Sequence, residues 1–383
     1  MNKCDIICIS THYWNDFWFR KQHFMSRFAE LGHRVLYVQP SYSMVRATDK
    51  PGIARNRFFM PLVEKISENI YLFSPPRMFP KPNTYISTVI NYRWFGGLIA
   101  SAAAKLGFVD PVLWIYRPEY SGTMEKIPHK RLVFDLADDL SAYNADDGRR
   151  GYIAGCIDNI AGKADLMVVT SPTLHDKYIN KTKKCVLVSN GFDEKLFDGK
   201  PKPVPSDLAE VPRPVIGFVG VLFSFLDYDM IYEAATAIPE ASFVFVGPVE
   251  KGGRAGVERL KTLPNAFFLG RKQKNDIPAY VSNFDVCINP FQVDDVSRAV
   301  SPLKVYEYLA CGKPVVSTLM EGLSREEAGE WIRFVKKEQF TVALARALNG
   351  KAVSPIDIAC VEAARGFSWT SQFNRLKGHL EDF

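Results

Sequence analysis

Two successive runs of alternating strand-like and helix-like segments, parted by one proline-rich stretch, limit what this chain can fold into. The first run offers CDIICIS, RVLYVQP, NIYLFSPP, VLWIY, RLVFDLA, DLMVVTS and CVLVSN. Each is short, rich in β-branched or aromatic residues and bounded by turn formers, as strands buried on both faces are. Helical stretches such as FRKQHFMSRFAELG lie between them, that one closed by Gly32. The stretch from Pro201 to Pro214 breaks the pattern and is expected to be a linker. A second run follows, with PVIGFVG, ASFVFVG, AFFLG, FDVCINPF and PVVST as strands and helices expected over 227–237, 276–282 and 301–311. Such alternation builds parallel α/β sheets covered by helices. The expected division is an N-terminal domain over 1–200, the linker over 201–214, a second domain over 215–366 and a terminal helix over 367–383.

Composition removes several classes of function. At 383 residues the chain can fill two cores. No apolar run approaches the ~20 residues of a membrane span. The opening MNKCDIICIS carries Asp5 within its apolar part and reads as a first strand rather than a signal peptide, so a cytoplasmic protein is expected. The seven cysteines form no C-x-x-C pair and no zinc-spaced cluster, which predicts reduced thiols and no side-chain metal site. A net charge of +6 without a dense basic stripe argues against nucleic acid as a partner.

The most specific stretch is SPLKVYEYLACGKPVVS, from Ser301 to Ser317. Ser301 and Pro302 suit an N-cap and a first helical turn, where unpaired N–H groups and the helix dipole attract phosphate. With Leu303 they would present backbone amides, and Lys304 adds a cation one turn in. Glu307 follows three residues later on the same face. A cation aimed at a diphosphate and a carboxylate aimed at ribose hydroxyls are what a nucleotide-sugar site requires. The alternative for Lys304 and Glu307 is an exposed ion pair on a solvated helix. Upstream, GFVGVLFSFLDYD places Gly217 and Gly220 after a strand, where backbone approaches a diphosphate closely or simply turns. Asp294, Asp295 and Arg298 precede the helix, either gripping sugar hydroxyls or forming a charged loop.

The run resembles the SPxKxxEYLAxGKPVV donor motif of GT-B glycosyltransferases of the group 1 kind. These are bacterial enzymes of surface polysaccharide assembly, including teichuronic-acid-type and glucuronosyl-type transferases. The resemblance implies two Rossmann-like doubly wound domains facing a cleft, and a terminal helix that crosses back to the first domain. It implies that Lys304 meets the donor phosphates and Glu307 the ribose, with the backbone around Arg271 and Lys272 at the base. The common retaining branch carries a second acid at the position of Ala299, a departure in this chain.

Transfer with inversion needs a general base for the acceptor hydroxyl. The segment RLVFDLADDLSAYN delivers Asp135, Asp138 and Asp139 to a loop after a strand, where mutual repulsion should raise at least one pKa. It resembles the SDGLS region of glucuronosyl-type enzymes, which places the base on Asp138 when aligned on Leu140, Ser141 and Asn144. Asp139 is the second catalytic candidate, and helix capping is the alternative for both. His12 after the first strand, Arg20 and His23 on the first helix, and Arg117 with Glu119 after VLWIY are the acceptor-side candidates. Lys21 reads equally as a solvated helix residue. Basic and aromatic residues over 46–57 and 77–81 suit contact with an anionic membrane or an ordinary loop.

The expected function is transfer of a sugar from a UDP-linked donor to a glycan or polyprenyl-linked acceptor, without cofactor. Two alternatives are a nucleotide-sugar epimerase on the same fold and a catalytically silent nucleotide-sugar-binding partner of an assembly complex.

Overall fold

A computed structural model describes residues 3–16, 18–41, 61–76, 85–138, 147–293, 303–320, 331–349 and 357–380. The chain divides into two compact units. The first holds Met1–Thr170, Leu174–Val188 and Phe373–Phe383, and the second Ser171–Thr173 and Ser189–Gln372.

The first unit is built on β1 (Asp5–Ile9), β2 (Arg34–Val38), β3 (Leu62–Lys65), β4 (Ile70–Ser74), β5 (Val112–Ile115), β6 (Arg131–Leu136), β7 (Leu166–Val169) and β8 (Cys185–Leu187). Their order is β3-β4-β2-β1-β5-β6-β7-β8. Among the described residues only the β3–β4 pair is antiparallel. Strand order reverses between β1 and β5, so the carboxyl ends of these two strands flank a topological switch point, where such sheets place ligands. Asp5 lies opposite Arg34 in the β1–β2 register and binds its Nε at 2.7 Å, which answers a carboxylate buried in an apolar strand. Helix Arg20–Glu30 covers the sheet and ends at Gly32, whose φ of 89° only glycine adopts at low cost. Its Phe24 and Phe28 pack on Phe373 at centroid distances of 6.1 and 4.8 Å. Helix Trp369–His379 thus begins among second-unit residues and completes the first unit's core, with Leu376 and Leu380 fully buried.

The second unit holds β9 (Val215–Val219), β10 (Ser242–Val246), β11 (Ala266–Gly270), β12 (Val286–Asn289), β13 (Val315–Thr318) and β14 (Ile332–Val335), in the order β11-β10-β9-β12-β13-β14. The described pairs are all parallel. Here the switch point falls between β9 and β12. Asp227 caps helix Tyr228–Ala237 by accepting from the Met230 amide at 2.9 Å.

The fold is α/β with two doubly wound parallel-sheet units, as the alternation of segments indicated. Two edge strands, β3 and β14, escaped the sequence reading. The stretch 201–214 groups with the second unit rather than standing free: Ser206–Ala209 is helical, and Asp207 binds Lys272 at 2.5 Å and the Tyr280 hydroxyl at 2.8 Å.

Candidate functional site

In the second unit, helix Leu303–Ala310 is held against the end of β9, where the Tyr308 hydroxyl accepts from the Val219 amide at 2.9 Å. Tyr306 stacks on Phe367 at 4.4 Å, and Gly312, at φ 66°, ends the helix. This anchoring sets the half-buried Lys304 at the switch point. Its ammonium lies 5.1 Å from the Phe218 ring centre and 5.0 Å from that of Phe291, residues just before and after the ends of β9 and β12. A Cβ added to Gly220 would stand 3.0 Å from Lys304 Cε, and the φ of Gly220 is 150°. Gly247 comes closer still, since a Cβ there would meet Gly220 O at 1.9 Å. The two glycines therefore let backbone and cation crowd together. Gly217 has a different role: its missing Cβ makes room for the Phe284 ring inside the core.

Burial lowers the Lys304 amine to about 8 against the pull of Glu307. Burial likewise raises the Glu307 carboxyl to about 7, opposed by Lys304 and Lys274 and assisted by Asp193. Among the described residues, neither charged end makes a hydrogen bond or an ion pair. The reading of this pair as an exposed i,i+3 bridge fails, because both side chains are half-buried and do not meet. Leu303 opens the described part of the helix and is half-buried. Arg271 is exposed after β11, and Lys272 is taken up by Asp207. Ser301, Pro302, Arg298, Asp294, Asp295 and Ala299 lie outside the described residues.

In the first unit, the ends of β1, β5 and β6 gather a second cluster. Arg20 is buried and binds both oxygens of Asp135, at 2.8 and 3.0 Å, and the Val188 carbonyl at 2.9 Å. This corrects its assignment to the acceptor: the guanidinium neutralises a carboxylate inside β6. Asp138, just beyond that strand, is half-buried, and burial raises its carboxyl to about 6 while Lys21 and Arg20 hold it down. The cause is desolvation rather than the carboxylate repulsion expected from sequence. Asp139 lies outside the described residues, as do 46–57 and 77–81.

Lys21 is buried, not solvated. Its Nζ stands 2.5 Å from Thr11 Oγ1 and 2.9 Å from His12 Nδ1, and 5.3 Å from the Tyr116 ring centre. Burial and the Lys21 charge lower the His12 imidazole to about 4. His23 is buried beneath Trp18, ring to ring at 5.4 Å, which places it in the packing rather than at a ligand. Arg117 lies 5.4 Å from the Tyr92 ring centre and 3.6 Å from Glu119. One signal for the Arg20–Lys21 arrangement stood in the sequence. Asp135 inside RLVFDLA needs a buried cation, and the first helix opens with two.

Comparison with known proteins finds similarity over part of the chain. Residues 213–350 match the family described as Glycosyl transferases group 1. The chain is 34% identical over 236 residues to the teichuronic acid biosynthesis glycosyltransferase TuaH of Bacillus subtilis (strain 168), a match spanning 60% of this chain and 59% of TuaH. Among solved structures, sucrose-phosphate synthase of Thermosynechococcus elongatus superposes with a TM-score of 0.72 at 17% identity, covering 99% of both chains. The α,α-trehalose 6-phosphate synthase of Burkholderia multivorans gives 0.71 at 13%, covering 100% of this chain and 97% of its own. Anabaena HepE, in complex with UDP and glucose, gives 0.67 at 15% over 99% of both. The family match is thus confined to residues 213–350, the chain spans about three fifths of the length of the curated relative, and its fold is GT-B.

Proposed function

We propose that this protein moves a sugar from a UDP-linked donor to a glycan or polyprenyl-linked acceptor in surface polysaccharide synthesis. The observation that carries the reading is Lys304: a half-buried cation at the β9–β12 switch point, against Gly220, with no hydrogen-bond partner among the described residues. A diphosphate there would restore the interactions that burial denies the ammonium, and the leaving diphosphate's charge is the charge that develops in transfer. Glu307 takes the ribose hydroxyls, and the amides from Ser301 to Leu303 supply further donors to phosphate. The HepE complex with UDP supports this donor class. In the first unit Asp138 acts as base towards the acceptor hydroxyl, with a pKa that leaves it ionised at neutral pH.

Calorimetry with UDP tests the donor half. Lys304→Ala should weaken UDP by at least tenfold, and Glu307→Gln by less. Wild-type affinity in Lys304→Ala removes the assignment. Peripheral contact with the inner membrane face, through the basic and aromatic residues over 46–81, belongs to the same reading. Sedimentation with anionic vesicles should then be weak and salt-sensitive, and binding indifferent to salt and lipid charge rules it out.

A further inference from the structure

The group that the proposed reaction leaves unexplained is Lys21. Burying a lysine costs several kcal/mol unless its hydrogen bonds are met. Its near neighbours are specific. Thr11 Oγ1 and His12 Nδ1, both just beyond β1, lie at 2.5 and 2.9 Å, and these two atoms are themselves 2.9 Å apart. The side chain also lies beside Tyr116 at the end of β5, so it ties the two strands that flank the first unit's switch point.

An ammonium has only donors. Set 2.9 Å from Nδ1, it requires that nitrogen to accept, for an N–H there would point one donor at another. The remaining ring hydrogen must then sit on Nε2. We infer that Lys21 is a positioning residue that fixes His12 as the neutral Nε2–H tautomer, so that the ring offers a hydrogen-bond donor to a substrate oxygen at the carboxyl end of β1. The substrate oxygen would be a hydroxyl or a phosphate oxygen. This last clause rests on the transfer reaction proposed above; the tautomer does not.

The surroundings agree. Lys21 faces Cys8 on β1, Asp135 on β6, Asp138 beyond it and Arg20 beside it, and burial brings its amine down to about 8. It therefore remains largely charged at neutral pH. His12 faces Lys21, Thr11 and the Phe19 ring at 4.4 Å, with no carboxylate among the groups that shift it. Nothing there favours an imidazolium.

Long-range ¹H–¹⁵N NMR of histidine-labelled protein reads the tautomer directly, with His12→Gln assigning the signal among six histidines. Wild-type protein should show Nδ1 unprotonated and Nε2 protonated, and stay so from neutral pH down to about 5, above the His12 pKa of about 4. In Lys21→Met the His12 pKa should rise by the smaller part of its depression that the Lys21 charge causes, burial keeping it below the ordinary value, and the tautomers should mix. An Nδ1–H signal in the wild type, or an unchanged titration in a folded Lys21→Met, overturns the inference. The wild-type spectrum decides the tautomer even if the variant does not fold. Should the spectrum fit while no UDP-sugar is turned over, the proposed transfer fails and the tautomer stands. For transfer itself, Lys21→Met should lower kcat with UDP affinity unchanged. A loss confined to UDP affinity is the opposing outcome.

Discussion

At the scale of single residues, the two candidate chemistries show the same device: a charged group half-buried beside the strand ends, with its pKa moved towards neutrality by desolvation. For Asp138 this gives a sign. A base must be ionised, so transfer should fall as pH drops through about 6, where the carboxyl takes a proton. Asp138→Asn keeps size and hydrogen bonding but removes the basic carboxylate. Turnover should drop by about 10²–10⁴ with UDP affinity retained. Near-normal turnover in that variant rules Asp138 out and turns attention to Asp139. The helix that carries Lys304 and Glu307 was legible because its motif is local and short. The Arg20–Lys21 pair was not, because Arg20, Lys21, Gln22 and His23 are four consecutive polar residues, all of them buried. A hydrophobic-periodicity argument assigns such a run to solvent. Only the long-range demand of Asp135 turns it inward.

At the scale of elements, the second unit's site depends on how helix Leu303–Ala310 is pinned. Its apolar side is spelled by Val305, Tyr306, Tyr308 and Leu309, all buried, and that pattern could be read from the sequence. The pin itself could not, since it joins a helix hydroxyl to an amide 89 residues earlier, Val219 N to Tyr308 Oη. Tyr308→Phe keeps the packing and leaves that buried amide without this acceptor. The loss should be about 1–3 kcal/mol in denaturant unfolding. UDP affinity should fall with it, because Lys304 sits one turn away on the same helix. A variant with unchanged stability and UDP affinity would show that packing alone sets the helix. The strands missed by sequence have an equally local cause. LVEK and IRFV are four residues long, carry charges and form sheet edges, so neither has the continuous apolar run of an interior strand.

At the scale of the whole chain, alternation of segments predicted two doubly wound units, but the course of the chain through them is a tertiary fact. The first unit is not finished by the first half of the sequence: it requires Phe373–Phe383, and its helix Arg20–Glu30 meets Phe373 through Phe24 and Phe28. Trp369, Phe373, Leu376 and Leu380 recur at spacings of four, three and four, and all are buried. Burying one such side chain is worth about 1.5–3 kcal/mol, and a whole domain has only about 5–15 kcal/mol in hand. Removing residues 368–383 should therefore leave the first unit unfolded or aggregating, although most of its sequence is still present. Phe373→Ala is the graded version. Phenylalanine-to-alanine changes in cores cost about 3–5 kcal/mol, and for a unit of this size each kcal/mol moves Tm by about 2–4 °C. The transition of the first unit should fall by roughly 6–20 °C, while UDP binding, if carried by the proposed Lys304 and Glu307 of the second unit, should persist at low temperature. If the truncated chain melts where the full chain does, the first unit's core closes without its terminal helix, and the packing of Phe373 on Phe24 and Phe28 contributes little to stability.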